Sequence, residues 1–497
     1  MLSWPLLLLL AAALGWLWAR RPRRPSGFPP GPPTFLIFGD IRTTLELLFG
    51  DVREVLLDRR RRYGDINGVV SPGGQFIVNI CAFEDIKEAC SMPELSGRPE
   101  TFSFLVRSFM QKLGIIFNDG VVWQEGRRFA LRHLKDLGLG RSSMEDSILA
   151  EFEHLHAEME RDVGKPMLVN NRFNLTVLNV LWKMVASERL DPADPQSMEH
   201  VRLVNDSIAE LGPRNLLMIA PWLRHVAPGL SGYNALVQQR DAALAMFQRL
   251  VRQHRATLDP RDPRDYIDRF LLEMETGDAA ERGFNELNLV VIGMDFLLAG
   301  METTSTSLSW ALLFMVKHPE VQRRVQREVD AVLGGRAPAG ADRLALPYTD
   351  AVLMEVTRRA AVVPRAVPHA ATRDVRFRGY LIPRGAVVMM SLHDVHMDAA
   401  YWGDPERFRP ERFLDESGAA RRDPRLMPFG VGRRSCLGEQ LARAELFLLF
   451  VCLMQRFSFE AVPGEALPSD GQYAALLQPE PFHVTYRTRA ESSNSST

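Results

Sequence analysis

Phe429-Gly430-Val431-Gly432-Arg433-Arg434-Ser435-Cys436-Leu437-Gly438 sets a lone thiol among glycines and arginines, directly ahead of an apolar run that reads as a helix. A thiolate stays deprotonated only in an electropositive, shielded niche. Amide N–H groups at the helix start, with Arg433 and Arg434 close by, would supply one. Gly432 and Gly438 would let the backbone turn sharply and approach a flat macrocycle where a side chain would collide. The arrangement suits a thiolate ligand to haem iron. A buried structural cysteine beside a turn is the plainer alternative.

Outward from this loop, composition narrows the field. Length alone, 497 residues, would suggest roughly three domains. After the N-terminal segment, however, no long Gly/Ser, Pro-rich or single-sign stretch separates compact halves, so one large body with ample core is expected. A formal charge of -1 argues against a nucleic-acid partner. The four cysteines, Cys81, Cys90, Cys436 and Cys452, form no CxxC pair and no His/Cys cluster at zinc spacing. That is not a disulfide scaffold; a reducing compartment fits it and would protect a ligand thiol.

Leu2 to Ala19 is almost wholly apolar and gives way abruptly to Arg20, Arg21, Arg23 and Arg24. As a helix this stretch would reach about 27 Å, enough to cross a hydrocarbon core. The basic cluster would stay cytoplasmic, with the N-terminus in the lumen and the bulk of the chain in the cytosol. A cleaved secretory signal is the competing reading, but a basic n-region is lacking. The expected divisions are a signal-anchor helix and basic stop over 1–24, a stiff proline-rich hinge over 25–33, a body over 34–490 and a disordered Ser-rich tail over 491–497. Asn174-Leu175-Thr176, Asn205-Asp206-Ser207 and Asn494-Ser495-Ser496 match the glycosylation pattern, but a cytosolic body would not meet the transferase.

Alternating runs near Ile66 to Ile80 and Val375 to Val388 predict strands, while most other periodic segments are helical in spacing. The fold class is therefore mainly α with a small β portion. Helices are expected over Val122 to Leu134, Leu287 to Val316, Pro319 to Val332, Thr349 to Arg359 and Leu437 to Gln455. The Leu287 to Val316 run begins at a plausible cap, Asn285, and would span about 45 Å. Asp295, Glu302 and Thr303 to Ser307 interrupt its apolar face, which argues against a second membrane crossing.

The cysteine loop resembles the haem-binding signature of the cytochrome P450 haem-thiolate monooxygenases, and the likeness extends over roughly Pro29 to Arg487, closest to the microsomal, membrane-anchored branch that handles drugs, steroids and hormones. The resemblance implies the cytochrome P450 fold and haem b with Cys436 as its axial ligand and Phe429, Gly430 and Gly438 among the haem-binding residues. In Ala299-Gly300-Met301-Glu302-Thr303-Thr304 a small pair would leave room for dioxygen, while Thr303 and its acidic neighbour Glu302 would deliver the protons that O–O cleavage consumes. Glu355 and Arg358, with Arg412 downstream, look like the family's buried Glu-Arg-Arg network that builds the cysteine loop. Trp123 and Arg127, one helical turn apart, match haem-propionate positions, as do Arg434 and His369.

A basic run with Arg127, Arg128, Arg132 and Lys135, beside Arg433 and Arg443, would dock an acidic electron donor. The resemblance implies NADPH-cytochrome P450 reductase, with cytochrome b5 as a second candidate, because the chain has no GxGxxG unit after a strand and no flavin motif of its own. NADPH-derived electrons and O2 would be co-substrates at an endoplasmic reticulum membrane. The expected pocket wall, again by resemblance, is Phe102, Phe104, Phe109, Ile116, Leu211, Phe296, Ala299, Val363, Val367, Tyr473 and Leu476. Nearly all are apolar, which suggests a steroid, terpenoid, fatty acid or xenobiotic substrate. Arg365 and Pro368 put a charge and a second rigid residue at the presumed pocket edge, and Arg359 follows the Glu-x-x-Arg motif where an apolar residue is more usual. A haem-thiolate isomerase or dehydratase needing no reductase, or a non-catalytic haem sensor, are the alternatives; Glu302-Thr303 argues against the first.

Overall fold

Asn285 opens the longest described helix by accepting the Asn288 amide at 2.9 Å on its side chain, and the helix runs for 32 residues, Glu286–Lys317, before His318 and Pro319 end it. It is buried on nearly every face, 72% of its most apolar stretch being covered by the rest of the chain. Apolarity all round here marks a core helix, not a second membrane crossing.

The computed structural model describes residues 23–35, 39–72, 74–195, 197–198, 201–202, 215–469 and 471–489. Residues 1–22 of the anchor and basic stop expected over 1–24, Leu211 and the 491–497 tail lie outside them. Eight helices frame the site: α1 (Phe83–Ser91), α2 (Phe102–Arg107), α3 (Gly120–Asp136), α4 (Asn174–Ala186), α5 (Glu286–Lys317), α6 (Pro347–Ala360), α7 (Leu392–His396) and α8 (Glu439–Arg456). Around α5, apolar faces of α3, α4, α6 and α8 close one continuous core that includes Trp182, Phe247, Leu312, Val356 and Phe450.

Strands are few and short: β1 (Ile66–Val70), β2 (Phe76–Ile80), β3 (Met167–Leu168), β4 (His369–Ala370), β5 (Val375–Phe377), β6 (Tyr380–Ile382), β7 (Val387–Met390), β8 (Phe457–Ala461), β9 (Gly471–Tyr473), β10 (Leu477–Pro479) and β11 (His483–Thr488). They form a four-stranded sheet ordered β1-β2-β7-β4, a three-stranded sheet β3-β11-β8 and two hairpins. A second apolar cluster, with Val78, Ile80, Leu95, Phe377 and Met390, seats the larger sheet against α1. The β9–β10 hairpin is held to α5 by Trp310, whose Nε1 donates to Leu477 O at 2.9 Å. The mainly α expectation holds, and the two predicted strand regions resolve into β1–β2 and β5–β6–β7. The helix expected from Leu437 starts at Glu439, because Cys436 to Gly438 are spent on the turn that precedes it.

Candidate active site

The cysteine loop is built by two left-handed glycines, Gly430 (φ +66°) and Gly432 (φ +74°), and closed by the Cys436 amide, which donates to Phe429 O at 2.9 Å. A Cβ on Gly432 would strike the Cys90 carbonyl, so this glycine lets the loop lie against α1. Gly438 departs from expectation: its φ is -90°, and a Cβ there would meet only open space. The turn therefore belongs to Gly430 and Gly432, and the latter's close approach is to another helix.

Cys436 is exposed, yet burial is the largest influence on its thiol and pushes the pKa up, with the Gly438 amide and the Arg127 guanidinium pulling it back. Those two facts agree if chain encloses the sulfur while one side fronts an internal void. The positive neighbour is Arg127, whose Nη2 donates to Ser435 O at 2.7 Å. Arg433 is exposed, and Arg434 points elsewhere.

A similar opening interrupts α5. Ala299 is exposed and Gly300, Thr303 and Ser307 are half-buried in a helix otherwise inside the core. Thr303 Oγ1 donates to Ala299 O at 2.9 Å, and Ser307 Oγ to Thr303 O at 2.7 Å. Gly300 is needed for a different reason from the one expected, since a Cβ there would strike Leu181 of α4; open room is left by Ala299. The acid and the alcohol are not brought together. Glu302 is buried and turned sideways, accepting from Asn174 Nδ2 at 2.8 Å and Gln478 Nε2 at 3.2 Å, and burial raises its pKa.

Beside the loop, three guanidinium groups crowd together. Arg434 lies 3.5 Å over the Trp123 ring and donates from Nε to Ser96 O at 3.0 Å. Arg98, which sequence reasoning missed, is buried and donates to the carbonyls of Ile116 (2.8 Å), Val367 and Pro368 (both 2.9 Å). Burial pushes its pKa well down and Arg434 and Arg127 push it further; burial likewise brings Arg434 to about 10. Asp119 is the acid that offsets them, and it also holds Lys112. Trp123 Nε1 and Arg434 Nη1 are buried with no hydrogen-bond partner among the described residues. His369 gives Nδ1 to Leu95 O at 2.8 Å, and burial with Arg98 nearby lowers its pKa to about 3. One buried and two half-buried cations with two orphaned donors call for an anion with several acceptor oxygens, so the residues fit the paired carboxylates of haem.

The loop is anchored from behind. Arg358 and Glu355, both fully buried, pair through two bonds of 2.8 and 2.9 Å, and Arg412 adds a third contact to Glu355 at 3.1 Å. Arg358 also donates to His396 O and Pro405 O, each at 2.7 Å, and His396 Nε2 accepts the Met427 amide at 3.1 Å. The three-residue network expected from sequence is thus assembled, and His396 extends it to the start of the cysteine loop.

A sequence profile of the cytochrome P450 family matches residues 29–486. The chain belongs to the cytochrome P450 family. Curated relatives include cytochrome P450 2L1 of Panulirus argus, 35% identical over 94% of this chain and 96% of its own. The vitamin D(3) 25-hydroxylase of Sus scrofa is 38% identical over 94% of both chains. The farnesoate epoxidase of Bombyx mori is 34% identical over 93% of this chain and 94% of its own. This cytochrome P450 is a monooxygenase, and the family implies haem held through a cysteine thiolate.

The expected wall residues of this cytochrome P450 are spread over several environments. Phe104 stacks on Phe117 at 4.0 Å, Phe102 lies under Arg224, and Phe109, with φ +57°, lies under Arg240. Ile116 and Val367 give carbonyls to Arg98, while Val363 is half-buried. Leu476 is buried at the β9–β10 tip, and Tyr473 meets His393 edge-on. Phe296 sits edge-on against Tyr266 in the main core. Arg365 donates to Asn79 Oδ1 at 2.8 Å, so its charge is held at the sheet. Arg359 is accounted for by Glu406, whose carbonyl and carboxylate it holds at 2.9 and 2.7 Å. A buried pair also escaped sequence reading: Arg107 of α2 meets Asp295 of α5 at 2.7 Å, and Asp295 takes the Ile115 and Ile116 amides, tying the loop after α2 to α5.

Proposed function

We propose that this cytochrome P450 works at the endoplasmic reticulum membrane with its catalytic body in the cytosol. It takes NADPH-derived electrons from NADPH-cytochrome P450 reductase, with cytochrome b5 as a second donor, and inserts one atom of O2 into a lipophilic small molecule. The reading is carried by Cys436, exposed in its glycine-built loop, together with Ala299 and Thr303, exposed and half-buried in a helix otherwise inside the core. We take these openings to be one cavity. Haem bound there supplies the dioxygen-binding iron and the oxygen-insertion chemistry.

The chain's own residues then have separable tasks. Cys436 Sγ would hold the haem iron, and the Gly438 amide and Arg127 offset part of the burial that raises its thiol pKa. Arg98, Arg127, Arg434, Trp123 and His369 would hold the propionates, which would satisfy the orphaned Trp123 Nε1 and Arg434 Nη1. Thr303 Oγ1 can leave the Ala299 carbonyl and relay a proton on the oxygen side, while Glu302, buried and inclined to hold its proton, serves as a reserve that must first leave Asn174 and Gln478. Glu355, Arg358 and Arg412 hold the loop.

Arg132, Lys135 and Arg433 are exposed and Arg128 partly pairs with Glu125, which supports a basic docking face for an acidic donor protein. Arg127 and Arg443 are engaged elsewhere, on Ser435 O and Glu439. Exposed Phe49, Trp222, Val226 and Leu230 support contact with lipid. The names of two relatives record action on farnesoate and vitamin D3, which supports a terpenoid or steroid-like substrate. Purified reductase, NADPH and a lipophilic panel test the reading: an oxygenated product formed with NADPH consumption is expected, and turnover of a peroxide without reductase, or no product at all, would count against it.

A further inference from the structure

Both oxygens of the buried Glu302 carboxyl are held by neutral amides, Oε1 by Asn174 Nδ2 at 2.8 Å and Oε2 by Gln478 Nε2 at 3.2 Å. Among the described residues no cation pairs with it. The titratable groups of the two elements that supply these amides are turned elsewhere: Lys183 of α4 is exposed, and Tyr473 of the β9–β10 hairpin lies against His393. On its own helix, Asp295 is engaged by Arg107. Burial, which raises the pKa, and the Asn174 hydrogen bond, which lowers it, bear on the charge of Glu302; Glu445, the buried acid of α8, does not.

Three elements build this clasp. Asn174 is the first residue of α4, and it is buried. Gln478 stands in β10 between two pinned neighbours. Leu477 O takes the Trp310 Nε1 proton at 2.9 Å, the Leu477 amide donates to Val362 O at 2.8 Å, and Pro479 O accepts from Asn170 Nδ2 at 3.1 Å. Trp310 and Glu302 belong to the same helix, so α5 fixes the strand that reaches its own acid. A Cβ on Gly471 would strike Gln478 O, so the bare glycine lets the hairpin close at this point.

Neutral partners matter for a group that must give up a proton and regain it. An arginine or lysine in either place would hold Glu302 ionised. An amide donates N–H to a carboxylate, and after half a turn of its last bond it offers a carbonyl to the protonated acid, so it serves both states. We propose that Asn174 and Gln478 are positioning residues that act through Glu302, forming a charge-neutral clasp in which the acid loses its proton towards Thr303 and regains one from solvent past the half-buried Gln478. Release leaves a carboxylate facing two N–H donors, uptake restores the neutral acid, and no electron moves. The inference rests on the proton-delivery role proposed for Thr303 and Glu302.

The test follows Glu302 in the haem-loaded protein by the infrared carbonyl band that Glu302→Gln removes, titrated from about pH 5 to about pH 9. Gln478→Leu takes away a donor to the ionised form and should raise the midpoint by about one pH unit, whereas Gln478→Lys supplies a cation and should lower it by about one unit or more. The thiolate-type Soret band should be retained in both. With reductase, NADPH and a substrate the wild type oxidises, hydrogen peroxide per NADPH should rise as the acid ionises, at a pH that moves with the infrared midpoint in each variant. Midpoints that stay at the wild-type value, or that shift together in one direction as a general loosening would make them, would overturn the proposal. So would a wild type in which Glu302→Gln removes no carbonyl band. Midpoints that move as stated while peroxide release ignores them would instead refute the proton-delivery role on which the inference rests.

Discussion

His396 Nε2 accepts the Met427 amide at 3.1 Å while the His396 carbonyl accepts from Arg358 Nη1 at 2.7 Å, so one residue couples the buried Glu355–Arg358 pair to Met427, two residues ahead of the cysteine loop. Because Nε2 is an acceptor, the proton sits on Nδ1 and the ring is neutral. Full burial, with Arg358 and His393 beside it, lowers its pKa to about 3.

Replacing His396 with Leu should leave the Met427 amide buried without a partner, at a cost of about 1–3 kcal/mol. The ring's depressed pKa also fixes a sign: the unfolded chain binds a proton below about 6.5 that the folded chain refuses until about 3. The stabilisation is complete above pH 6.5 and declines as pH falls from there towards 3. Urea midpoints measured from pH 7.5 to 5 should fall for the wild type, and fall less steeply for His396→Leu.

Arg358→Leu should cost about 3–5 kcal/mol, because Glu355 would be left at zero exposure with Arg412 as its one remaining cation among the described residues. The readout is haem content per purified polypeptide, expected to collapse. Normal haem content would contradict the structural role given to the network.

Thr303→Ala should retain haem and the thiolate spectrum but divert electrons to hydrogen peroxide, lowering coupling by roughly 100-fold, the low end of the range for losing one proton-transfer group. Thr303→Ser keeps the hydroxyl and should restore much of it. Peroxide per NADPH, assayed with reductase, decides; full coupling in Thr303→Ala would contradict the relay.

Trp123→Phe removes an indole N–H that has no partner within the described protein and keeps most of the surface under Arg434. A hydrogen bond to a charged acceptor is worth about 1.5–3 kcal/mol. Haem transfer to an excess of an acceptor globin should therefore quicken by roughly 10-fold or more, with protein stability little changed. An unaltered transfer rate would remove Trp123 from the propionate site.

Sequence went furthest where function demands side chains close together in the chain. The loop from Phe429 to Gly438 and the i,i+3 pair Glu355–Arg358 were legible, because local spacing already determines who can meet whom, whereas Trp123 and Arg127, one turn apart, engage Arg434 and Ser435. His396 was not legible, since its ring meets a backbone amide 31 residues away and Arg358, 38 residues away, reaches only its carbonyl, so neither contact calls for a histidine at a readable spacing. Arg98, lodged between Gly97 and Pro99, sits in no periodic element, so nothing in its neighbourhood announces burial. Glu302 was recognised, but helical spacing places it beside Thr303 without revealing that Asn174 and Gln478 offer it donors on another face. The same limit applies to Gly300, whose missing side chain answers to Leu181.

The identity of the iron ligand is tested most directly by the spectrum of the dithionite-reduced carbon monoxide complex of the wild type beside Cys436→Ala. The red-shifted Soret band of thiolate ligation should be present in the wild type and absent in the variant. The same red-shifted band in Cys436→Ala would contradict the account.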